Sequence, residues 1–181
     1  MWTRRRTTIW INTLGGIAVL GSYAACIGLY PEAVGNFWGG VPEALRSVYT
    51  LNMGFAAAGY FAFTFFLLYR LNAGSAASAS GGWGYGTFNT LYALVLIPSA
   101  LWMPLTFVML ESPSPALWLA IRAVLAAVGI GSLGILFGLL VARPAQPTWV
   151  HRGAVLGSVF FCLQTAVLDA IVWPAYFAVS A

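Results

Sequence analysis

The chain has 181 residues, 61% of them hydrophobic and only 7% charged, with a mean hydropathy of +0.87 and a formal net charge of +4. Soluble domains run near 45–50% apolar and about 25% charged, so this composition excludes a soluble globular domain, and the hydrophobicity excludes disorder. Its 8 basic residues are all arginine and stand singly after Arg6, which argues against a nucleic-acid surface despite the pI of 9.4 and leaves an integral membrane protein.

A helix crosses the hydrocarbon layer with about 20 apolar residues. The first such run is Ile9 to Leu29, preceded by Arg4, Arg5 and Arg6. Basic residues before an apolar run, with Ala24, Ala25 and Cys26 near its end, have the layout of a cleaved signal. Tyr23, three residues before Cys26, fits a lipoprotein cleavage box poorly, so the run is expected to persist as the first membrane helix. The connection after it, Tyr30 to Ser47, carries Phe37, Trp38, Gly39, Gly40 and Pro42. It is apolar and aromatic for a loop, which predicts a segment lying on the membrane interface or capping the bundle.

The second helix is expected over Val48 to Tyr69, followed by a Gly-, Ala- and Ser-rich linker from Asn72 to Gly86. The third runs from Thr87 to Leu110 and contains Pro98 and Pro104, which free backbone carbonyls and open space between helices. A short connection, Glu111 to Pro115, makes the third and fourth helices antiparallel neighbours. The fourth covers Ala116 to Val141, and a connection with Pro144 and Pro147 leads to the fifth, Ala154 to Phe177. The expected fold is therefore a single all-α membrane domain, a five-transmembrane-helix bundle over residues 1–181. A β-barrel is excluded, because these uninterrupted runs lack the alternation of barrel strands.

Charge sets the expected orientation. One side holds Arg4, Arg5, Arg6, Arg70, Arg143 and Arg152 with no acid, and the other holds Arg46 against Glu32, Glu43 and Glu111. Arginine stays cytoplasmic, which places the N-terminus inside and the C-terminus outside. Small residues four apart, Gly134 with Gly138 (extended by Ala126 and Ala142) and Gly153 with Gly157, mark close helix contacts. Packing inside the bundle is the simpler reading of these pairs, and a homodimer is the other.

Two ionisable residues fall inside spans, Arg122 and Asp169. A charge in hydrocarbon is costly, so it is paired or faces a cavity. With a rise of ~1.5 Å per residue, Arg122 lies ~10 Å and Asp169 ~12 Å from the outer ends of antiparallel helices. The common level predicts an Arg122–Asp169 ion pair. Ser99, Trp102 and Thr106 share a face of the third helix, Thr165, Asp169 and Trp173 repeat along the fifth, and Tyr49, Asn52 and Tyr23 reach the same level. Two readings fit. One is a ligand pocket in the outer half of the bundle, apolar-walled with a few polar anchors. The other is a structural salt bridge, with Arg122 snorkelling to the interface and the aromatics forming an ordinary belt.

A catalytic site does not assemble from these residues. His151, the one histidine, falls in an arginine-flanked loop on the opposite side, and neither a carboxylate pair, a metal cluster nor a Gly-rich phosphate loop is present. Cys26 and Cys162 lie within spans and are expected as small packing residues, with no disulfide or metal framework.

The segment Ser99-Ala-Leu-Trp-Met-Pro-Leu-Thr-Phe107 resembles the N-x-x-W-x-P-L-F-F stretch of the TspO/MBR family, the translocator or tryptophan-rich sensory proteins. Thr165-Ala-Val-Leu-Asp-Ala-Ile-Val-Trp173 is similar to that family's A-x-x-L-N-x-x-x-W stretch, and Val48 to Ala57 is a looser match on the second helix. Helix number, the long first connection and the 8 Trp agree. Ser99 and Asp169 stand where the family has Asn, and its K-P-x-W-x-P-P motif is reduced to Trp38 and Pro42. The resemblance implies a five-helix bundle with a cavity closed by the first connection. It further implies binding of a tetrapyrrole such as a porphyrin, or of a sterol-like ligand, often by a homodimer acting as sensor or carrier.

The expected function is thus a non-enzymatic, TspO-like membrane receptor or carrier for a hydrophobic planar ligand, sited in a bacterial cytoplasmic membrane. Its expected site residues are Tyr23, Trp38, Tyr49, Asn52, Ser99, Trp102, Thr106, Arg122, Thr165, Asp169 and Trp173. The alternatives are a structural subunit of a larger membrane complex and a small proton- or solute-coupled transporter using Asp169.

Overall fold

A computed structural model describes residues 2–70, 83–141 and 148–177. Five helices in it are long and apolar enough to cross a membrane. They are α1 (Trp2–Leu29), α2 (Glu43–Tyr69), α3 (Tyr85–Glu111), α4 (Pro115–Val141) and α5 (Trp149–Tyr176). Each coincides with a run read from the sequence, and the architecture is that of a multi-pass membrane helical bundle. Residues 72–82 of the Gly/Ala/Ser linker and the Pro144–Pro147 stretch lie outside the described residues, while Tyr85 and Gly86, read as the linker's end, already belong to α3.

The helix ends differ where polar residues extend a helix past its apolar run. α2 starts at Glu43, just after Pro42, whose lack of an N–H costs nothing at a helix start. α5 starts at Trp149 because Thr148 caps it, its side chain accepting from the His151 N–H at 3.4 Å. His151, expected in a solvated loop, therefore lies in a helical turn. Its Nε2 pairs with the Leu139 carbonyl at 2.9 Å and its ring packs on Phe66, so it ties α5 to α4 and α2.

The helices form a ring in which α1 packs on α3, α3 on α4, α4 on α5 and α5 on α2. α1 and α2 are neighbours in sequence but touch only sparsely. Glycines set the closest approaches. A Cβ on Gly59 would stand 2.2 Å from the Gly157 carbonyl oxygen, so the α2 and α5 backbones are in direct contact. On α4, Gly134 faces Leu91, and Gly138 faces Trp83 and Phe88. Gly134, Gly138 and Gly157 thus serve packing within the bundle, while Gly153 meets nothing.

The first connection is a 3₁₀ helix, Pro31–Trp38, lying across one end of the bundle. Gly39 follows it at φ +51, and Gly40 donates its N–H to the Tyr176 carbonyl at 2.9 Å. Both positions exclude a side chain, since a Cβ would meet the Phe177 backbone at Gly39 and the Tyr176 oxygen at Gly40. Phe37 sinks between Met103 and Phe107 of α3. The expected cap is present.

α5 is not uniform. After Trp149–Cys162 it unwinds into a π-helical stretch, Leu163–Val172, before a last α turn, Trp173–Tyr176. Its wider winding is visible in the bond from the Trp173 N–H to the Leu168 carbonyl, five residues back.

At the end opposite the cap the helices are cross-linked. Thr8 donates to Asn89 between α1 and α3, Tyr60 donates to Asn12 between α2 and α1, and the Thr64 and Tyr92 hydroxyls pair at 2.8 Å. Phe63, Phe66, Phe88, Tyr92, Ile135 and Leu139 fill the core there. The outer surface carries Leu14, Ile17, Leu20, Phe61, Leu119 and Ile130, as a lipid-facing surface requires.

Candidate functional site

Beneath the cap, four elements converge on a tryptophan. The Trp102 ring meets Tyr23 of α1 at 5.9 Å, Phe37 of the cap at 6.5 Å and Trp173 of α5 at 5.9 Å between centroids. Trp173 continues the cluster to Trp118 and Phe177. Its Nε1 donates to the Phe37 carbonyl at 2.7 Å and so latches the cap to α5. Trp38 stands edge-on to Tyr49 at 5.7 Å, and Arg46 is held beside it by a bond to the Val41 carbonyl and by the Trp38 ring. Edge-to-face contacts of this kind orient aromatic rings as well as bury them.

A polar chain lies against this cluster. Asn52 of α2 donates through Nδ2 to Gln164 Oε1 at 3.1 Å and to the Phe160 carbonyl at 3.2 Å. Gln164 in turn donates through Nε2 to Oδ1 of Asp169 at 2.8 Å. The Tyr49 hydroxyl donates to the Leu168 carbonyl at 2.6 Å, next to Asp169. Tyr23 and Tyr49 both lie within electrostatic reach of the Asp169 carboxylate. Thr165 donates to Ser132 of α4 at 2.7 Å, which anchors the π-helical stretch on its other flank.

The ion pair expected between Arg122 and Asp169 does not form. Arg122 is exposed, and among the described residues Asp169 is met by Gln164 alone. Counting rises along two helices gives a common depth but not a common azimuth. The buried stripe of α4 runs through Ile121, Leu125, Val128 and Ser132, and Arg122 stands beside it.

Of the other expected residues, Tyr23, Trp102, Asp169 and Trp173 come together, with Trp38, Tyr49 and Asn52 around them. Thr165 is buried against α4. Thr106 is fully buried, with its hydroxyl donating to the Trp102 carbonyl at 2.8 Å. Ser99 is half-buried and makes no hydrogen bond to the others.

Sequence reasoning missed Gln164, Phe37 and Trp118. Residues five apart on an α-helix lie about 140° apart around its axis, so Gln164 and Asp169 do not form a pair on that periodicity. The π winding brings them to one face. Pro98 and Pro104 leave the continuous α3 with carbonyls lacking an intrahelical donor, the local irregularity the sequence led one to expect.

Two features distinguish the cluster from ordinary packing. Nε1 of Trp102 is buried with no hydrogen-bond partner. Tyr23, Trp102 and Asp169 are only half-buried, whereas Phe37 and Trp173 beside them are buried. A separate open groove of ≈ 820 Å³ lies between Trp38 and the Glu43–Gly54 side of α2. Among the described residues no group of three or more metal-ligating side chains is present.

No protein family, curated protein or solved structure matches this chain. The reading of the site rests on its own chemistry.

Proposed function

We propose that the chain is a membrane binding protein, a receptor or carrier for a hydrophobic planar ligand that sits under the 3₁₀ cap between α1, α2, α3 and α5. The observation that carries this reading is the buried, unpartnered Nε1 of Trp102 among the rings of Tyr23, Phe37 and Trp173. A buried donor without an acceptor costs about 1–3 kcal/mol, and a bound molecule presenting an acceptor removes that cost. The π-helical stretch beside it supports the same reading, since π-bulges are frequent at functional sites.

The TspO/MBR-like character, with a tetrapyrrole or sterol-like ligand, belongs to the same proposal. It draws support from the aromatic cluster around Trp102 and from a first connection that closes over it. The arginine distribution supports an N-terminus inside and a C-terminus outside. Arg4, Arg5, Arg6, Arg70 and Arg152 gather at the uncapped end, and Glu32, Glu43 and Glu111 at the capped one. A bacterial cytoplasmic membrane is the setting we propose.

The test is a titration of the detergent-solubilised chain with 9-anthraldehyde, whose carbonyl oxygen offers Trp102 an acceptor, and with protoporphyrin, read by tryptophan fluorescence. The proposal expects saturable quenching by at least one of them, weakened about tenfold or more in Trp102→Ala. Linear, unsaturable quenching by both overturns it.

A further inference from the structure

We propose that the ligand of this site is a cation: a planar aromatic body carrying a positive charge, held by the Asp169 carboxylate and by the rings of Tyr23 and Trp102. This rests on the reading of the space under the cap as a ligand site.

The argument begins with what Asp169 lacks. An ionisable side chain at membrane depth is paired or faces a cavity, because hydrocarbon leaves its charge uncompensated. Arg122, the other charge within the spans, is exposed and turned away. Arg46 is engaged by the Val41 carbonyl at 2.9 Å and by the Trp38 ring. Asp169 has one neutral donor, Gln164 Nε2 on Oδ1, and among the described residues its Oδ2 accepts nothing. The chain thus holds a half-buried carboxylate in place, through Asn52 and Gln164, without supplying a countercharge.

The surroundings select the same class of ligand. Tyr, Trp and Phe rings present negative π-faces, and a cation within about 6 Å of such a face is attracted, most strongly where water is excluded. Tyr23 and Trp102 are the half-buried rings nearest Asp169, while Trp173 is buried behind them against Trp118 and Phe177. This narrows the planar ligands proposed above to those without carboxylates, since a propionate meets a carboxylate of like sign here and a neutral body leaves Asp169 uncompensated.

The experiment compares two probes of nearly equal shape, N-methylacridinium and neutral 9-methylanthracene, against the full chain and Asp169→Asn in nanodiscs of zwitterionic lipid. The Asn side chain keeps an acceptor for Gln164. We expect the wild-type chain to bind the cation at least tenfold tighter than the neutral probe. In Asp169→Asn that preference falls to threefold or less, while a cooperative SDS-unfolding transition reports an intact fold. Equal wild-type affinity for both probes overturns the cation assignment and leaves the ligand site standing, as does a preference that survives Asp169→Asn. Saturable binding of neither probe overturns the ligand site and the assignment together. The wild-type ratio decides the matter even if the variant does not fold.

Discussion

Gln164 donates its Nε2 proton to Oδ1 of Asp169 at 2.8 Å, across five residues of a π-wound helix. With Asn52 on the other side of the same amide, this bond locks the irregular stretch of α5 to α2 and aims a carboxylate under the cap. The polar chain does two things at once. It satisfies buried amides, and it positions the one acidic group that reaches the aromatic cluster.

Removing the middle of that chain is therefore expected to cost more than removing its end. Interhelical hydrogen bonds in membrane proteins average ~0.6 kcal/mol and reach ~1.7, so Asn52→Ala should lower stability by about 1 kcal/mol. Gln164→Leu strips Asp169 of its donor and leaves Asn52 only the Phe160 carbonyl, and should cost about 2 kcal/mol. Unfolding by SDS titration checks the order, and a double-mutant cycle should show the two losses to be less than additive.

The cap depends on a single indole. Trp173→Phe removes the bond from Nε1 to the Phe37 carbonyl while keeping most of the ring contacts with Trp102 and Phe177. Hydrogen exchange across residues 31–41 should rise by tenfold or more, with little change in α3 and α4. Unchanged exchange would show that Phe37 packing and the Gly40–Tyr176 backbone bond hold the segment alone.

Arg122 is expected to be dispensable. It is exposed and has no ion-pair partner among the described residues, so Arg122→Gln should shift stability by less than about 0.5 kcal/mol, as for other surface changes, and leave probe binding within twofold. A loss comparable to that of an Asp169 substitution would restore the link the geometry denies.

Backbone contact between α2 and α5 gives a packing test. Gly59→Ala places a Cβ against the Gly157 backbone, which no rotamer relieves, and should destabilise by about 1–3 kcal/mol. Gly16→Ala on α1 meets nothing within 4 Å and should be neutral or slightly stabilising, because Ala suits a helix better. SDS titration of both variants in parallel reads the contrast.

The orientation is checked by single cysteines in a chain with Cys26 and Cys162 replaced. Glu32→Cys should react with an impermeant maleimide added outside intact cells, and Arg152→Cys only after permeabilisation. The reverse pattern would invert the bundle.

Much of the fold was legible because lipid imposes a simple rule. Each span needs about 20 apolar residues, and the chain has five such runs divided by Pro, Gly and charge. The aromatic half of the site was legible for a related reason. Trp102 and Trp173 recur at depths that helical rise alone fixes. What stayed hidden depends on rotation about helix axes. Arg122 and Asp169 share a level but not a direction. Gln164 becomes a partner of Asp169 through a π winding that α-helical periodicity does not encode. His151 looked like a loop residue because the helical turn around it is polar, and the Thr148 cap draws it into α5.

The central claim, that a planar aromatic ligand sits under the 3₁₀ cap, is tested most directly by photo-crosslinking. A diazirine derivative of 9-methylanthracene would be irradiated with the chain in nanodiscs and its adducts mapped by mass spectrometry. The account predicts labelling concentrated at residues 99–107 and 169–177, with Tyr23 or Phe37 included, and suppressed by excess unlabelled 9-methylanthracene. Labelling spread over the lipid-facing surface, such as Leu14, Ile17 and Leu20 of α1, and unaffected by competitor would contradict it.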